Sequence, residues 1–194
     1  MKRIGLFGGS FDPVHLGHLL VAQAACEELA LDRLFFIPAA QSPFKPASEP
    51  ASAALRLRML RLALVGRADY EIDEQEIQRG GTSFTIDTVR SYVRRFPRSE
   101  FSYLIGTDHV PTLPKWREVD ELARLVQFVV IPRPGEVPAA SPSPFRIQVL
   151  GGWPMKLSSS EIRTRVRSGL PVDHLVPFGV AEVIREAWLY QTLS

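Results

Sequence analysis

Two histidines stand three residues apart near the start of the chain, beyond a run of small residues. His15 and His18 would project from one face of a helix, and Gly17 between them leaves room for a ligand to come close. Imidazoles can donate hydrogen bonds to phosphate oxygens, and they can be protonated near neutral pH. These residue types at this spacing favour the binding of a phosphate group.

The residues before the histidines predict the backbone that would hold such a phosphate. Residues 4–8 form an apolar run that predicts a buried strand, which ends in two glycines and a serine at residues 8–10. A helix is expected to start around residues 14–16, where free N–H groups and the helix dipole attract an anion. Pro13 suits the first turn of that helix because proline has no N–H to satisfy.

The same residues allow two other interpretations. The first is an ordinary strand-to-helix turn that carries two exposed histidines. The second is a metal site built from Asp12, His15 and His18. No further ligand is obvious in the sequence, since His109 and His174 are isolated in the chain.

The rest of the chain alternates short β-rich runs with amphipathic helical stretches. Strands are predicted at residues 4–8, 34–37, 101–105, 128–131 and, as an edge, 146–150, with an extended segment at 70–77. Helices are predicted at residues 16–31, 53–65, 85–96, ending at 122–125, from about 159, and at 178–189. This order predicts an α/β fold with a doubly wound, mostly parallel sheet and helices on both faces. No linker divides the chain, so residues 1–194 are expected to form a single domain.

Composition excludes several classes of protein. The net charge is only +2, from 23 basic and 21 acidic residues, so no nucleic-acid partner is expected. No apolar run approaches membrane-spanning length, and the first residues are too short and glycine-rich for a signal peptide. Cys26 is the one cysteine, which makes an intramolecular disulfide impossible and fits a reducing cytoplasm. We expect Cys26 to be a small core residue in a protein with no membrane partner.

A second candidate for phosphate binding lies far down the chain, at residues 156–163, which read KLSSSEIR. Three serines followed by a glutamate predict a helix N-terminus, because their hydroxyls can cap it. Arg163 and Arg167 would share one face of that helix. An ordinary capped surface helix is the alternative interpretation.

Two motifs in this order resemble those of the nucleotidyltransferase superfamily. GSFDPVHLGH at residues 9–18 is similar to its GSFDPxHxGH signature, and LSSSEIR at residues 157–163 is similar to its ISSTxIR motif. The resemblance implies a Rossmann-like nucleotidyltransferase fold and ATP as co-substrate. It also implies Mg²⁺ carried by the ATP phosphates, with no metal ligand from protein side chains. The ATP-binding residues that it implies are Gly8, Gly9, Ser10, Phe11, His15, His18, Gly106, Asp108, Ser158, Ser159, Ser160 and Arg163.

Three internal segments are similar to nicotinate-nucleotide adenylyltransferases, so that the likeness spans essentially the whole chain. They are RGGTSFTIDTV at residues 79–89, LIGTD at 104–108 followed by LPKW at 113–116, and VIPRPG at 130–135. The resemblance implies adenylyl transfer from ATP to nicotinate mononucleotide, giving nicotinate adenine dinucleotide and pyrophosphate in NAD biosynthesis. His18, Lys45 and Arg163 would then be catalytic, while Thr85, Trp116 and Lys45 would bind nicotinate mononucleotide. Backbone amides near Thr85 and Trp116 would receive the nicotinate carboxylate.

The chain departs from the family pattern at Phe44, where a histidine is usual, and at Phe84, where a tyrosine is usual. Each acceptor-site residue also has an ordinary alternative. Trp116 could be a half-buried aromatic, Asp108 could cap a short helix, and Thr85 could be the N-cap of its helix.

Two rival functions stay open. One is the same transfer to nicotinamide mononucleotide, and the other is a regulatory nucleotide-binding protein that has lost catalysis. The sequence leaves the oligomeric state open, a homo-oligomer being one option.

Overall fold

The structure, a computed structural model, describes residues 1–41, 50–132, 134–136 and 140–191. Within these ranges six strands form one sheet: β1 (Lys2–Gly9), β2 (Arg33–Pro38), β3 (Tyr70–Ile72), β4 (Ser99–Ile105), β5 (Gln127–Val130) and β6 (Ile147–Val149). The helices are α1 (Leu16–Glu28), α2 (Ala53–Ala63), α3 (Gln75–Arg79), α4 (Thr85–Arg95), α5 (Val119–Leu125), α6 (Ser159–Arg167) and α7 (Phe178–Glu186). A 3₁₀ helix spans Thr107–Lys115.

The sheet has the order β3-β2-β1-β4-β5-β6, and each of its pairings is parallel. The central strand β1 is flanked by β2 and β4, so Leu6 pairs with both Phe35 and Tyr103. From β1 the chain adds β2 and then β3 on one side. It then crosses to the other side of β1, where it adds β4, β5 and β6. Strand order therefore reverses between β1 and β4, where a parallel sheet opens a crevice at its carboxyl edge.

Two apolar layers cover the sheet. One face packs against α1, α2, α6 and α7 through a cluster that includes Phe36, Met59, Ile162 and Val180. The other face packs against α4, α5 and the 3₁₀ helix through Phe35, Ile86, Tyr92, Leu113, Leu122 and Phe128. The predicted doubly wound sheet with helices on both faces is confirmed, and β6 is the edge strand that the sequence indicated.

The prediction of an extended segment at residues 70–77 was wrong beyond Ile72. β3 ends there, and α3 begins at Gln75. The Asp73 carboxylate turns the chain, since it accepts hydrogen bonds from the Gln75 backbone N–H at 2.9 Å and from the Gln75 side chain at 3.0 Å. This turn directs Glu76 inward, although a charged residue in an alternating stretch suggests a solvent-facing position.

Two further segments differ from the sequence-based expectation. The 3₁₀ helix contains Pro111 and Pro114, which obscure a helical pattern, so no helix was predicted there. The first helix ends at Glu28 rather than at residue 31, because Ala30 adopts a left-handed conformation with φ of 47°.

Cys26 lies in α1 and packs, partly buried, against the first apolar cluster. Burial raises the pKa of its thiol to about 11, and the nearby Asp69 charge adds to the shift. A thiol with so high a pKa is a poor nucleophile, in agreement with the structural role predicted for Cys26. None of the described helices is long and apolar enough to cross a membrane.

Candidate active site

A cavity of about 500 Å³ opens where strand order reverses, at the carboxyl ends of β1 and β4. It brings together residues that are far apart in the chain. The predicted site residues that line it are Gly8, Gly9, Ser10, His15, His18, Thr85, Gly106, Asp108, Trp116, Ser158, Ser159, Ser160 and Arg163. Phe11 lies beneath it instead, buried against Phe7 and Phe36. Lys45 and Phe44 lie outside the described residues.

The two histidines form a reciprocal pair at the start of α1. His15 is the N-cap, and its Nδ1 accepts the His18 backbone N–H at 3.3 Å, while the His18 Nδ1 accepts the His15 backbone N–H at 3.2 Å. The rings stack with their centroids 3.7 Å apart. Because each Nδ1 is an acceptor, the neutral form of each ring carries its proton on Nε2. Each imidazole is thereby fixed as an Nε2–H donor at the cavity.

This geometry corrects three expectations about the histidines and their surroundings. His15 precedes the first helical residue, so the two rings are stacked by capping rather than by sharing a helix face. His15 is only 5% exposed, which contradicts a turn with two exposed histidines. Pro13 lies before the N-cap, outside the first turn of α1.

The same atoms argue against a metal site at Asp12, His15 and His18. Both Nδ1 atoms accept backbone N–H groups. The Asp12 carboxylate accepts hydrogen bonds from Tyr190 Oη at 2.7 Å and from the Ala51 backbone N–H at 3.2 Å. Over the described ranges, no group of three or more His, Cys, Asp or Glu side chains is placed to hold a metal ion.

The second phosphate-binding candidate joins the first through the carbonyls of Asp12 and Pro13. Arg163 Nη1 donates to the Asp12 carbonyl at 2.7 Å, and Ser159 Oγ donates to the Pro13 carbonyl at 2.9 Å. The Asp12 carboxylate lies 3.8 Å from the same guanidinium. The residues that these bonds join are 146 and 151 positions apart in the sequence. The bonds therefore place the motif at residues 9–18 and the motif at residues 157–163 on two walls of one site.

The three serines have different tasks. Ser158 is the N-cap of α6 and accepts the Glu161 backbone N–H at 3.1 Å, so the predicted serine cap of this helix is confirmed. Ser159 is used in the bond to Pro13, and Ser160 accepts from Arg163 Nη2 at 3.2 Å. The backbone N–H groups of Ser159 and Ser160 have no partner among the described residues. These first-turn amides, together with Arg163, can attract an anion.

Sequence reasoning missed a buried residue that holds the candidate phosphate-binding turn from behind. Arg56 is 2% exposed, and its Nη1 donates to the carbonyls of Ser10 at 2.9 Å and Ala39 at 2.8 Å. Its Nε donates to the Ala51 carbonyl at 3.0 Å. Burial lowers the pKa of Arg56, while the Asp12 charge opposes that shift. The available signal was its position on the apolar stripe of α2, where Leu60 follows four residues later.

The glycines of the turn make room for protein side chains. A Cβ on Gly8 would lie 2.2 Å from the Tyr103 hydroxyl, and one on Gly9 would lie 3.1 Å from the Phe11 ring. Tyr103 is buried on β4, and its hydroxyl forms a hydrogen bond with the Thr85 side chain. Burial raises the pKa of Tyr103, so this hydroxyl stays neutral. Because Gly8 has no side chain, β1 can pass close to Tyr103, whose hydroxyl contacts Thr85 at the start of α4.

The start of α4 forms the wall of the cavity on the opposite face of the sheet. Thr85 is the first residue of the helix, after Phe84 as N-cap, so Thr85 is not the cap itself. Phe84 supplies no side-chain cap. The backbone N–H groups of Thr85 and Ile86 have no partner within the described part of the chain. Two amides at a helix N-terminus are suited to an anion such as a carboxylate.

Trp116 and Asp108 complete this end of the cavity. Trp116 is buried, meets Phe128 edge-on, and donates its Nε1–H to Thr112 Oγ1 at 3.2 Å. Its backbone N–H already donates to the Leu113 carbonyl at 3.0 Å. Asp108 lies in the first turn of the 3₁₀ helix, whose N-cap is Gly106 and which has no side-chain cap, so the alternative of Asp108 as a cap was wrong. It also lines the cavity, and its Oδ1 comes so close to Gly106 that a Cβ there would lie 2.4 Å away.

The cavity has a further apolar end, which the sequence did not indicate. Trp153 lines it with Val21 and Ile131, and the Trp153 side chain is 48% exposed. The segment is fixed by Glu28, whose carboxylate accepts the backbone N–H groups of Gly151 at 3.0 Å and Gly152 at 2.8 Å. A half-exposed tryptophan on an anchored segment is suited to contact a flat ring.

Comparison with known proteins agrees with this arrangement. Residues 6–165 match the family model described as Cytidylyltransferase-like. A protein of Opitutus terrae named probable nicotinate-nucleotide adenylyltransferase is 44% identical over 191 residues, covering 97% of this chain and 98% of its own length. A protein of the same name from Gemmatimonas aurantiaca is 48% identical over 196 residues, covering 97% of this chain and 92% of its own.

Among solved structures, the Plasmodium falciparum nicotinic acid mononucleotide adenylyltransferase complexed with NaAD superposes with a TM-score of 0.80. It is 17% identical and covers 98% of each chain, which shows a shared fold. The sheet, the two joined motifs and the near full-length relatives lead to one assignment. The chain belongs to the cytidylyltransferase-like family and, within it, to the nicotinate-nucleotide adenylyltransferases, which are nucleotidyltransferases.

Proposed function

We propose that this chain transfers the adenylyl group of ATP to nicotinate mononucleotide, giving nicotinate adenine dinucleotide and pyrophosphate in NAD biosynthesis. One observation carries the proposal. A single cavity joins two anion-attracting helix starts from opposite faces of the sheet, α6 beside the histidine pair and α4 beside Trp116. A substrate pair with a polyphosphate on one side and a carboxylate on the other fits this arrangement. The names of the curated relatives agree with it.

The ATP phosphates would lie between the turn at residues 8–10 and the start of α6. His15 and His18 would donate from Nε2, and Arg163 with the amides of Ser159 and Ser160 would neutralise the β- and γ-phosphates. Mg²⁺ would enter as part of the MgATP substrate and take its ligands from phosphates and water. Asp12, the carboxylate beside Arg163, is buried and hydrogen-bonded to Tyr190.

Nicotinate mononucleotide would place its ring beside Trp116 and its carboxylate at the amides of Thr85 and Ile86. Since the Trp116 amide is already bonded to Leu113, the carboxylate donors are those of α4. The neutral nicotinamide ring carries an NH₂ that would meet these N–H donors without an acceptor. Asp108 would accept hydrogen bonds from the adenosine ribose, and Trp153 would stack on the adenine.

The reaction needs no protein nucleophile. An oxygen of the 5′-phosphate of nicotinate mononucleotide forms a bond to the α-phosphorus of ATP, while the bond from that phosphorus to the bridging oxygen breaks and pyrophosphate leaves with the electron pair. The attacking phosphate is already ionised, so catalysis consists of alignment and of neutralising charge on the leaving group. His18, Lys45 and Arg163 would provide that neutralisation. We place the reaction in the cytoplasm, as the lone cysteine suggests.

Replacing His18 by Asn tests the electrostatic role of the imidazole. The Asn side-chain oxygen can still accept the His15 backbone N–H, but the Nε2–H donor at the cavity is lost. We expect kcat to fall about 100-fold or more, whereas the free energy of unfolding in urea changes by no more than about 1 kcal/mol. A variant that turns over at the wild-type rate would show that His18 does not take part.

Replacing Trp153 by Ala tests the adenine end. Stacking on an aromatic side chain contributes about 1–3 kcal/mol per base, so we expect the KM for ATP to rise about tenfold with the KM for the mononucleotide unchanged. Trp153→Phe should restore most of the affinity. Trp188→Ala is the matched control, because Trp188 is 75% exposed and does not line the cavity. Equal KM values for ATP in wild type and Trp153→Ala would contradict this placement.

The function itself is tested by pyrophosphate release from MgATP with nicotinate mononucleotide, with nicotinamide mononucleotide, and with neither. We expect kcat/KM to favour the nicotinate substrate by about 10- to 100-fold, the value of one or two charge-assisted hydrogen bonds. A preference for the nicotinamide substrate would support the first rival. ATP binding without pyrophosphate release from either substrate would support a regulatory protein.

A further inference from the structure

Glu76 is a buried acid that the reaction described above does not use. It lies in α3, is 4% exposed, and lines the cavity near Thr85. Its carboxylate accepts hydrogen bonds from Thr88 Oγ1 at 2.6 Å and from the Ser83 hydroxyl. An acid is rarely buried unless its neighbours satisfy it, so its position needs an explanation.

The two donors to Glu76 stand on either side of the first turn of α4. Ser83 comes just before the N-cap Phe84, and Thr88 follows within the helix. Ser83 is held in turn by the residues that follow β2, since its Oγ accepts the Ala40 backbone N–H at 3.1 Å. Its own backbone N–H donates to the Gln41 carbonyl at 3.0 Å. Glu76 therefore ties the start of α4 to the carboxyl edge of the sheet.

This tie matters because α4 has no cap of its own. Phe84 offers no side-chain acceptor to the first amides, so the direction of the Thr85 and Ile86 N–H groups depends on what holds the turn from outside. Burial raises the pKa of Glu76, while the hydrogen bonds from Thr88 and Ser83 and the charge of Arg79 oppose that shift. Arg79 also donates to Thr88 Oγ1 at 3.4 Å, so the hydroxyl that reaches Glu76 is held from both sides.

We propose that Glu76 is a positioning residue for the acceptor substrate: by holding Ser83 and Thr88 it aims the first amides of α4 at the nicotinate carboxylate. The inference rests on the proposed function, since it concerns the acceptor end of that site. Glu76 acts through α4 and does not touch the reacting atoms. At the ATP end, Arg56 and Arg163 hold the carbonyls of Ser10 and Asp12, to which Glu76 makes no hydrogen bond.

Replacing Glu76 by Gln tests the inference. The glutamine amide has the shape of the glutamate side chain, but its NH₂ group cannot accept a hydrogen bond. At least one of the bonds from the Thr88 and Ser83 hydroxyls must therefore rearrange. We expect the KM for nicotinate mononucleotide to rise about tenfold and its dissociation constant, measured by calorimetry, to rise equally. The KM for ATP should stay within about twofold. Glu71→Gln on the neighbouring β3 is the matched control, because its ion pair with Arg33 lies on the surface.

Thr88→Val is a second variant, which removes one donor at nearly constant volume and should shift the same KM in the same direction. If both variants bind the mononucleotide as tightly as wild type and only melt at a lower temperature, Glu76 is merely structural and the inference fails. Equal rises in the KM for ATP and for the mononucleotide would also overturn it. If the wild-type protein binds nicotinate mononucleotide but does not convert it to product, the proposed function fails while the positioning role of Glu76 can still hold.

Discussion

The site depends on a few backbone carbonyls of one turn being held by side chains from distant parts of the chain. Arg56 holds the carbonyl of Ser10 from α2, while Arg163 and Ser159 hold those of Asp12 and Pro13 from α6. Because these carbonyls accept hydrogen bonds from the protein interior, the other side of the turn faces the cavity. These bonds join the loop between β1 and α1 to α2 and α6, and they bring the two motifs together.

The groups that face the cavity are held by hydrogen bonds within the protein. They are backbone amides, the two histidine rings and the guanidinium of Arg163, which also holds the turn through the Asp12 carbonyl. The side chains behind them are fully hydrogen-bonded, and no buried side-chain polar atom in the described structure is left without a partner. A reaction between two anions profits from such an arrangement, because preorganised donors need little rearrangement as charge moves to the leaving group.

Local sequence patterns predicted the strands and helices that carry the candidate site, whereas they did not predict the residues that support it. Strand–helix alternation and contiguous motifs identified the sheet, the histidine pair and the α6 start, since these are local patterns. Arg56, in a predicted helix, and Glu76, in a predicted extended segment, were missed because charged residues are usually solvent-facing, and only the tertiary structure shows what surrounds them. Trp153 was missed because no local pattern marks its segment, which Glu28 anchors from α1.

In the proposed reaction the site aligns two substrates for one direct displacement, with no covalent enzyme intermediate. The stereochemical course at the α-phosphorus tests this most directly. ATP with a single diastereomer of an α-thiophosphate would be converted with nicotinate mononucleotide, and the configuration of the thio-dinucleotide product would be determined by ³¹P NMR. One in-line attack predicts inversion of configuration at the phosphorus. Retention would require two successive displacements through an adenylylated residue and would contradict the account.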